Sequence, residues 1–256
     1  MKAPTLFPVY LEIGAKRVFA CAADWPGWCR SGKDERQALE ALVAAAPRYA
    51  PVATAAGFAF PATISVDALA VVERLQGSTT TDFGAPAAVA MSDLRPLAPG
   101  EAEGLAALLM ASWATFGRVV AGAPAKLRKG PRGGGRDRDP IVHHVLAAEA
   151  QYARKLGIRR PQPDLGDTTA IDALRAAIVG TIRSGELPAL PSRPTSPSWP
   201  LRYAARRIAW HVLDHAWEIE DRTDLGGLVD VEPRPPARGH AAPEVSGQPP
   251  TLPAPG

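Results

Sequence analysis

The 256-residue sequence contains five histidines, and four of them fall in two short segments: His143-His144 and His211-x3-His215, with His240 apart. A spacing of four on a helix sets two imidazoles on one face, one turn apart, where they can share a metal ion. The residue after His211 is Val212, so the pair is not the His-Glu-x-x-His of zinc proteases. Ile208, Val212 and Ile219 neighbour the pair at helical spacing, which predicts that both imidazoles face a helical interior. In the other segment His144 lies on the stripe Ile141, Val145, Ala148, Tyr152 and Leu156, whereas His143 aligns with Ala147, Ala150 and Arg154. His144 is therefore the expected third ligand. Three imidazoles leave at least one coordination position open. The donor set suits zinc, nickel, copper or iron, and an ion so held lowers the pKa of a bound water or thiol. Asp214 or Glu218 is placed to orient a ligand from behind. The competing reading is ordinary: surface histidines, or core histidines satisfied by hydrogen bonds.

A second chemical signal is the run Lys126 to Arg138, which carries six basic residues, one acid and four glycines. Such a loop can hold a phosphate, a carboxylated thiol cofactor or nucleic acid, and Arg128, Lys129 and Arg132 are its candidate cofactor-binding residues. It lacks the Gly-Lys-Ser/Thr ending of a P-loop. It also lacks aromatic residues, so base stacking is not indicated. A solvated loop is the plain alternative.

These residues need elements to hold them. Leu105, Leu108, Leu109, Trp113, Phe116 and Val120 give Pro99–Val120 a helical period. Asp139-Pro140 opens a second helix that stops at Gly157, and Asp167 or Thr168 caps a third that runs to about Arg183 before Gly185. A fourth spans Pro200 to Arg222. Four helices of this length predict a four-helix bundle over residues 98–224. Before them, residues 1–90 read as an α/β module. Leu6–Ile13 and Val18–Ala22 are strand-like, Asp34–Ala46 is helical, and Ala62–Leu75 holds apolar segments for a further strand and a turn of helix. The fold class expected is α+β, with a boundary near Pro86–Pro99. Residues 232–256 are rich in proline and poor in large apolar side chains, which predicts a disordered, dispensable tail.

Hydrophobic residues make up 46% and charged residues 21%, which excludes wholesale disorder, and the net charge of +3 is too small to argue for nucleic acid. No uninterrupted apolar run approaches a membrane span, and the N-terminus lacks a secretory apolar stretch, so a cytoplasmic protein without a membrane partner is expected. Cys21 and Cys29 read as free thiols.

The segments Ile141 to Glu149 and Arg207 to His215 resemble the metal-ligand helices of the DinB-like superfamily. The resemblance covers about residues 98–224. It implies a four-helix bundle with a metal triad at His144, His211 and His215, and an activity such as a mycothiol- or bacillithiol-dependent transferase or isomerase. The cofactors implied are a divalent metal ion and a low-molecular-weight thiol. The long loop between the first two helices departs from the family pattern. In the N-terminal module, Phe19 to Gly32 followed by Ala38-Leu39 resembles the HicB-like antitoxin fold over about residues 7–46, with Pro26-Gly27 at the turn. That resemblance implies a protein partner for the module. No DNA-binding segment accompanies it. The leading expectation is a metal-binding, thiol-dependent transferase or hydrolase acting on a small molecule. The alternative is a non-catalytic regulatory or protein-binding module, with Trp25 and Trp28 serving either as core or as a partner surface.

Overall fold

A computed structural model describes residues 6–130, 133–187 and 198–223. The Pro-rich stretch 232–256, His240 and Arg132 lie outside the described residues. The architecture is α+β: a mixed sheet with flanking helices, then a bundle of four long helices.

β1 (Phe7–Ile13) and β2 (Val18–Ala22) form an antiparallel hairpin, β3 (Cys29–Gly32) adds to β2, and β4 (Leu69–Gln76) lies parallel to β1, giving the order β3-β2-β1-β4. A parallel partner for β1 requires a crossover. α1 (Glu35–Ala44) and α2 (Ala46–Ala55) supply it. The Asp34 side chain caps α1 by accepting from the Gln37 N–H. The helix expected over Asp34–Ala46 is thus followed by a second, which Pro47 and Pro51 disguise in the sequence. Phe7, Val9, Leu11, Trp28, Leu42, Tyr49 and Val52 are buried together under these helices. Trp28 is 1% exposed, and Trp25 packs edge-on against Phe60 at 4.8 Å between ring centroids, so both tryptophans belong to this core.

The bundle comprises α4 (Pro99–Gly122), α5 (Arg138–Lys155), α6 (Thr168–Ser184) and α7 (Leu201–Arg222). Leu109, Phe116, Ile141, Val145, Ile178, Ile208 and Val212 fill its interior, as the helical periods require. α4 is apolar over much of its circumference because it meets α2, α6 and α7. By length and composition Gly100–Gly122 would suffice to cross a membrane, and half of the stretch is buried within the protein.

α7 serves two cores. Leu213 and Trp217 join the sheet cluster, and Trp210 meets Phe19 edge-on at 6.0 Å. A short α3 (Thr79–Phe83) and the turn Met91–Leu94 lie on the connector between sheet and bundle. Two buried acids fasten that connector. Glu12 accepts from Thr81 Oγ1 at 2.5 Å and from the Ala87 and Ala88 N–H groups at 2.9 Å. Asp93 accepts from the buried Arg206 guanidinium of α7, which also donates to the Tyr10 hydroxyl.

Gly27 closes the β2–β3 turn with φ +92°, and a Cβ there would lie 2.6 Å from Leu213 Cδ1 on α7. Left-handed strain and a clash with a core leucine act together. A Gly27→Ala variant is expected to lose about 2–4 kcal/mol of stability, measurable by urea unfolding.

Candidate metal centre

α5 and α7 are packed neighbours and carry the site in two facing rows. His144, Ala148 and Tyr152 succeed one another by four along α5, and Arg207, His211 and His215 do so along α7. His144 Nε2 and His211 Nε2 lie 3.2 Å apart. The ring centroids are separated by 5.1 Å for His144–His211, 5.0 Å for His144–His215 and 4.7 Å for His211–His215. One ligand nitrogen from each of the three residues falls within 4.8 Å of the others. The expected convergence is therefore present. The neighbouring His143 is exposed and pairs with Gln162 Nε2 at 3.0 Å, away from the cluster.

Do these residues fit a divalent ion? Two nitrogens bound tetrahedrally at about 2.0–2.1 Å would stand about 3.3–3.4 Å apart, close to the separation of His144 and His211 Nε2. His211 is 6% exposed, and its Nδ1 is buried without a hydrogen-bond partner. A lone N···N hydrogen bond leaves that nitrogen as an uncompensated cost. His215 Nδ1 instead pairs with Glu218 Oε2 at 2.8 Å, and Arg222 Nη1 donates to Glu218 Oε1 at 2.7 Å. In the Nδ1–H tautomer that this contact selects, His215 presents a free Nε2 lone pair. Of the two carboxylates expected behind the site, Glu218 takes this role. Asp214 turns to Arg30, at 3.5 Å.

The surroundings disfavour a charge on His211 and His144. Burial pushes the His211 pKa well below its usual value, helped by the charges of His215, Arg207, His144 and Arg136. Burial also lowers His144, with His215 and Arg136 adding to it. The hydrogen bond from His215 holds the Glu218 carboxyl below the usual carboxylate range. Neutral imidazole is the ligating form. A pH dependence follows for the metal-free protein. His144 and His211 titrate below the unfolded value of about 6.5, so the unfolded chain binds more protons beneath it. The stability these two residues contribute is present above pH ~6.5 and is lost as the pH falls towards their folded values. Urea midpoints are expected to drop between pH 7.5 and 5.5, less steeply in a His211→Ala variant.

The basic loop folds onto its surroundings. The Arg128 N–H donates to the Arg222 carbonyl at 2.8 Å and its side chain to the Asp221 carbonyl at 2.5 Å. Lys129 Nζ donates to Asp137 Oδ1 at 2.6 Å and to the Gly135 carbonyl at 3.2 Å. Lys129 and Lys126 hold the Asp137 carboxyl far below its usual pKa. Arg136 is the residue of this loop whose charge reaches both His144 and His211. Sequence reasoning did not single out Arg136, Tyr152 or Arg207 for the site. Tyr152 stood on the stripe that located His144, and Arg207 stood one turn before His211. Both were legible as positions, but not as neighbours. Tyr152 packs edge-on to His211 at 5.7 Å and against Trp199 at 5.0 Å.

Compared with protein-family models, with curated proteins and with solved structures, the chain finds no match in any of the three.

Proposed function

We propose that the protein is a metal-dependent enzyme of the DinB-like kind, a thiol-dependent transferase or hydrolase, with a divalent zinc, nickel or iron ion on His144, His211 and His215. The observation that carries this reading is the convergence of three imidazole nitrogens from two helices. The chemistry such an ion supplies is Lewis acidity, which makes a thiol or water acidic enough to act near neutral pH. The chain's own residues prepare the site. Glu218, braced by Arg222, fixes the His215 tautomer, and burial keeps His211 and His144 unprotonated. Three protein ligands leave a position for substrate, the pattern of catalytic and not of structural metal sites.

Metal analysis of protein purified without a histidine tag tests the reading. One divalent ion per chain, with thiol transfer or hydrolysis that disappears on chelation and returns with metal, is the expected result. Absence of stoichiometric metal after reconstitution with zinc, nickel and ferrous iron overturns it.

A further inference from the structure

Arg207 has no carboxylate partner and no hydrogen bond among the described residues, and its Nη1 is buried. Its guanidinium instead lies between aromatic faces, 4.7 Å from the Trp210 ring centroid and 5.7 Å from that of Tyr152. The adjacent arginines on α7 are all engaged: Arg202 with Glu101, Arg206 with Asp93 and Arg222 with Glu218. A buried donor left without an acceptor is costly, the more so when it is charged. An anion that binds there would remove that cost. Arg207 precedes His211 by one helical turn, and Tyr152 leans on both. The two facing rows thus have a histidine end and an arginine end, displaced by about 5.4 Å along the helix. Solvent reaches His144, Tyr152, Arg207 and His215, each only partly buried.

We infer that this seam binds a small organic carboxylate whose carboxyl pairs with Arg207, with Tyr152 as the adjoining wall, and whose metal-binding head lies about one helical turn away at the histidines. The guanidinium fork suits the planar carboxylate, which accepts two parallel hydrogen bonds. The inference rests on the proposed metal reading for the identity of the head group, a thiol, and on Arg207 alone for the carboxylate.

The test uses the full chain loaded with Co(II), whose visible spectrum responds to thiolate binding. The probes are 3-mercaptopropionate, 1-propanethiol and propionate. The expected result is that 3-mercaptopropionate binds the loaded protein about tenfold more tightly than 1-propanethiol, the order of one charge-assisted hydrogen-bonded pair. In Arg207→Gln the two thiols bind alike, with Co(II) content unchanged. Equal affinities in the wild type, or a preference that survives in Arg207→Gln, overturn the inference. Propionate titrated against metal-free protein, followed by tryptophan fluorescence, reads Arg207 without a metal. Binding that is lost in Arg207→Gln supports the carboxylate site even if Co(II) fails to load, a failure that would count against the metal reading alone. Propionate binding that is unaffected by Arg207→Gln overturns the site. Tighter binding of inorganic phosphate than of propionate by the metal-free wild type overturns the carboxylate assignment.

Discussion

A His211→Ala variant is expected to stay folded and to lose most of its bound metal. His211 is the best-buried of the three ligands, and its ring lies about as near to each of the others as they lie to one another. Its removal leaves two imidazoles from different helices, too few to hold an ion with an open position. The same change deletes the unpartnered Nδ1, so the metal-free fold is spared one polar cost while it gains a small cavity. Metal and fold therefore separate in the measurement. In the wild type, an ion bound only to the native state adds about 2.7 kcal/mol at a hundredfold excess over its Kd, worth roughly 5–10 °C in Tm for a chain of this size. In His211→Ala that increment disappears. His143→Ala keeps both metal and increment, because His143 turns away to Gln162. Equal metal loss in the two variants would show that the ligand from α5 is not His144.

The largest stability loss is expected from Asp93→Ala. Arg206 is 7% exposed and Asp93 3%, and the carboxylate accepts from Arg206 Nε at 2.9 Å as well as from Nη2. Asp93 Oδ2 also accepts from the Ala90 N–H at 2.8 Å. Alanine leaves a buried guanidinium whose pKa is held above its usual value by Tyr10 and Asp93 against the opposing pull of burial. Stranding one member of a buried pair costs about 3–5 kcal/mol, or roughly 6–20 °C in Tm. Adding Arg206→Met to Asp93→Ala removes the stranded charge and is expected to recover a good part of the loss. Calorimetry on the two variants checks both statements. A loss below about 1 kcal/mol in the single variant would mean that solvent reaches Arg206 and solvates it.

What the sequence made legible was local. The four bundle helices carry their own start and stop signals, such as Asp139-Pro140, the Asp167 cap and Gly185, and the structure places them within a few residues of expectation. The same 3.6-residue period separated His144 from His143 and brought it to the His211–His215 pair. Pairings between distant segments left no such trace. The parallel register of β4 on β1 follows from a crossover in which α2 begins Ala-Pro and contains Pro51, a composition that reads as loop. Glu12 in β1 holds Ala87 and Ala88, and Arg206 joins Asp93 and Tyr10 across more than a hundred positions; neither has a periodic signature. Arg207 was hidden for the same reason. A missing partner becomes visible only when every neighbour is in place.

α7 is the last of the described elements to leave the ribosome, and this orders the maturation of the protein. The strands of the sheet are complete once Gln76 has been made, yet Leu213 and Trp217, which finish their core, arrive only with α7. At about 5–20 residues per second, synthesis from the end of β4 to the end of α7 takes roughly 7–30 s. Throughout that interval the part of the sheet on which α7 packs in the folded protein lacks that cover. Arg206, Trp210 and Leu213, which cover it, are interleaved along one helix with His211 and His215. Assembly of the three-histidine cluster and closure of the sheet thus belong to a single late docking step. A nascent chain halted before Leu201 would display the uncovered sheet and hold none of the ligands of α7.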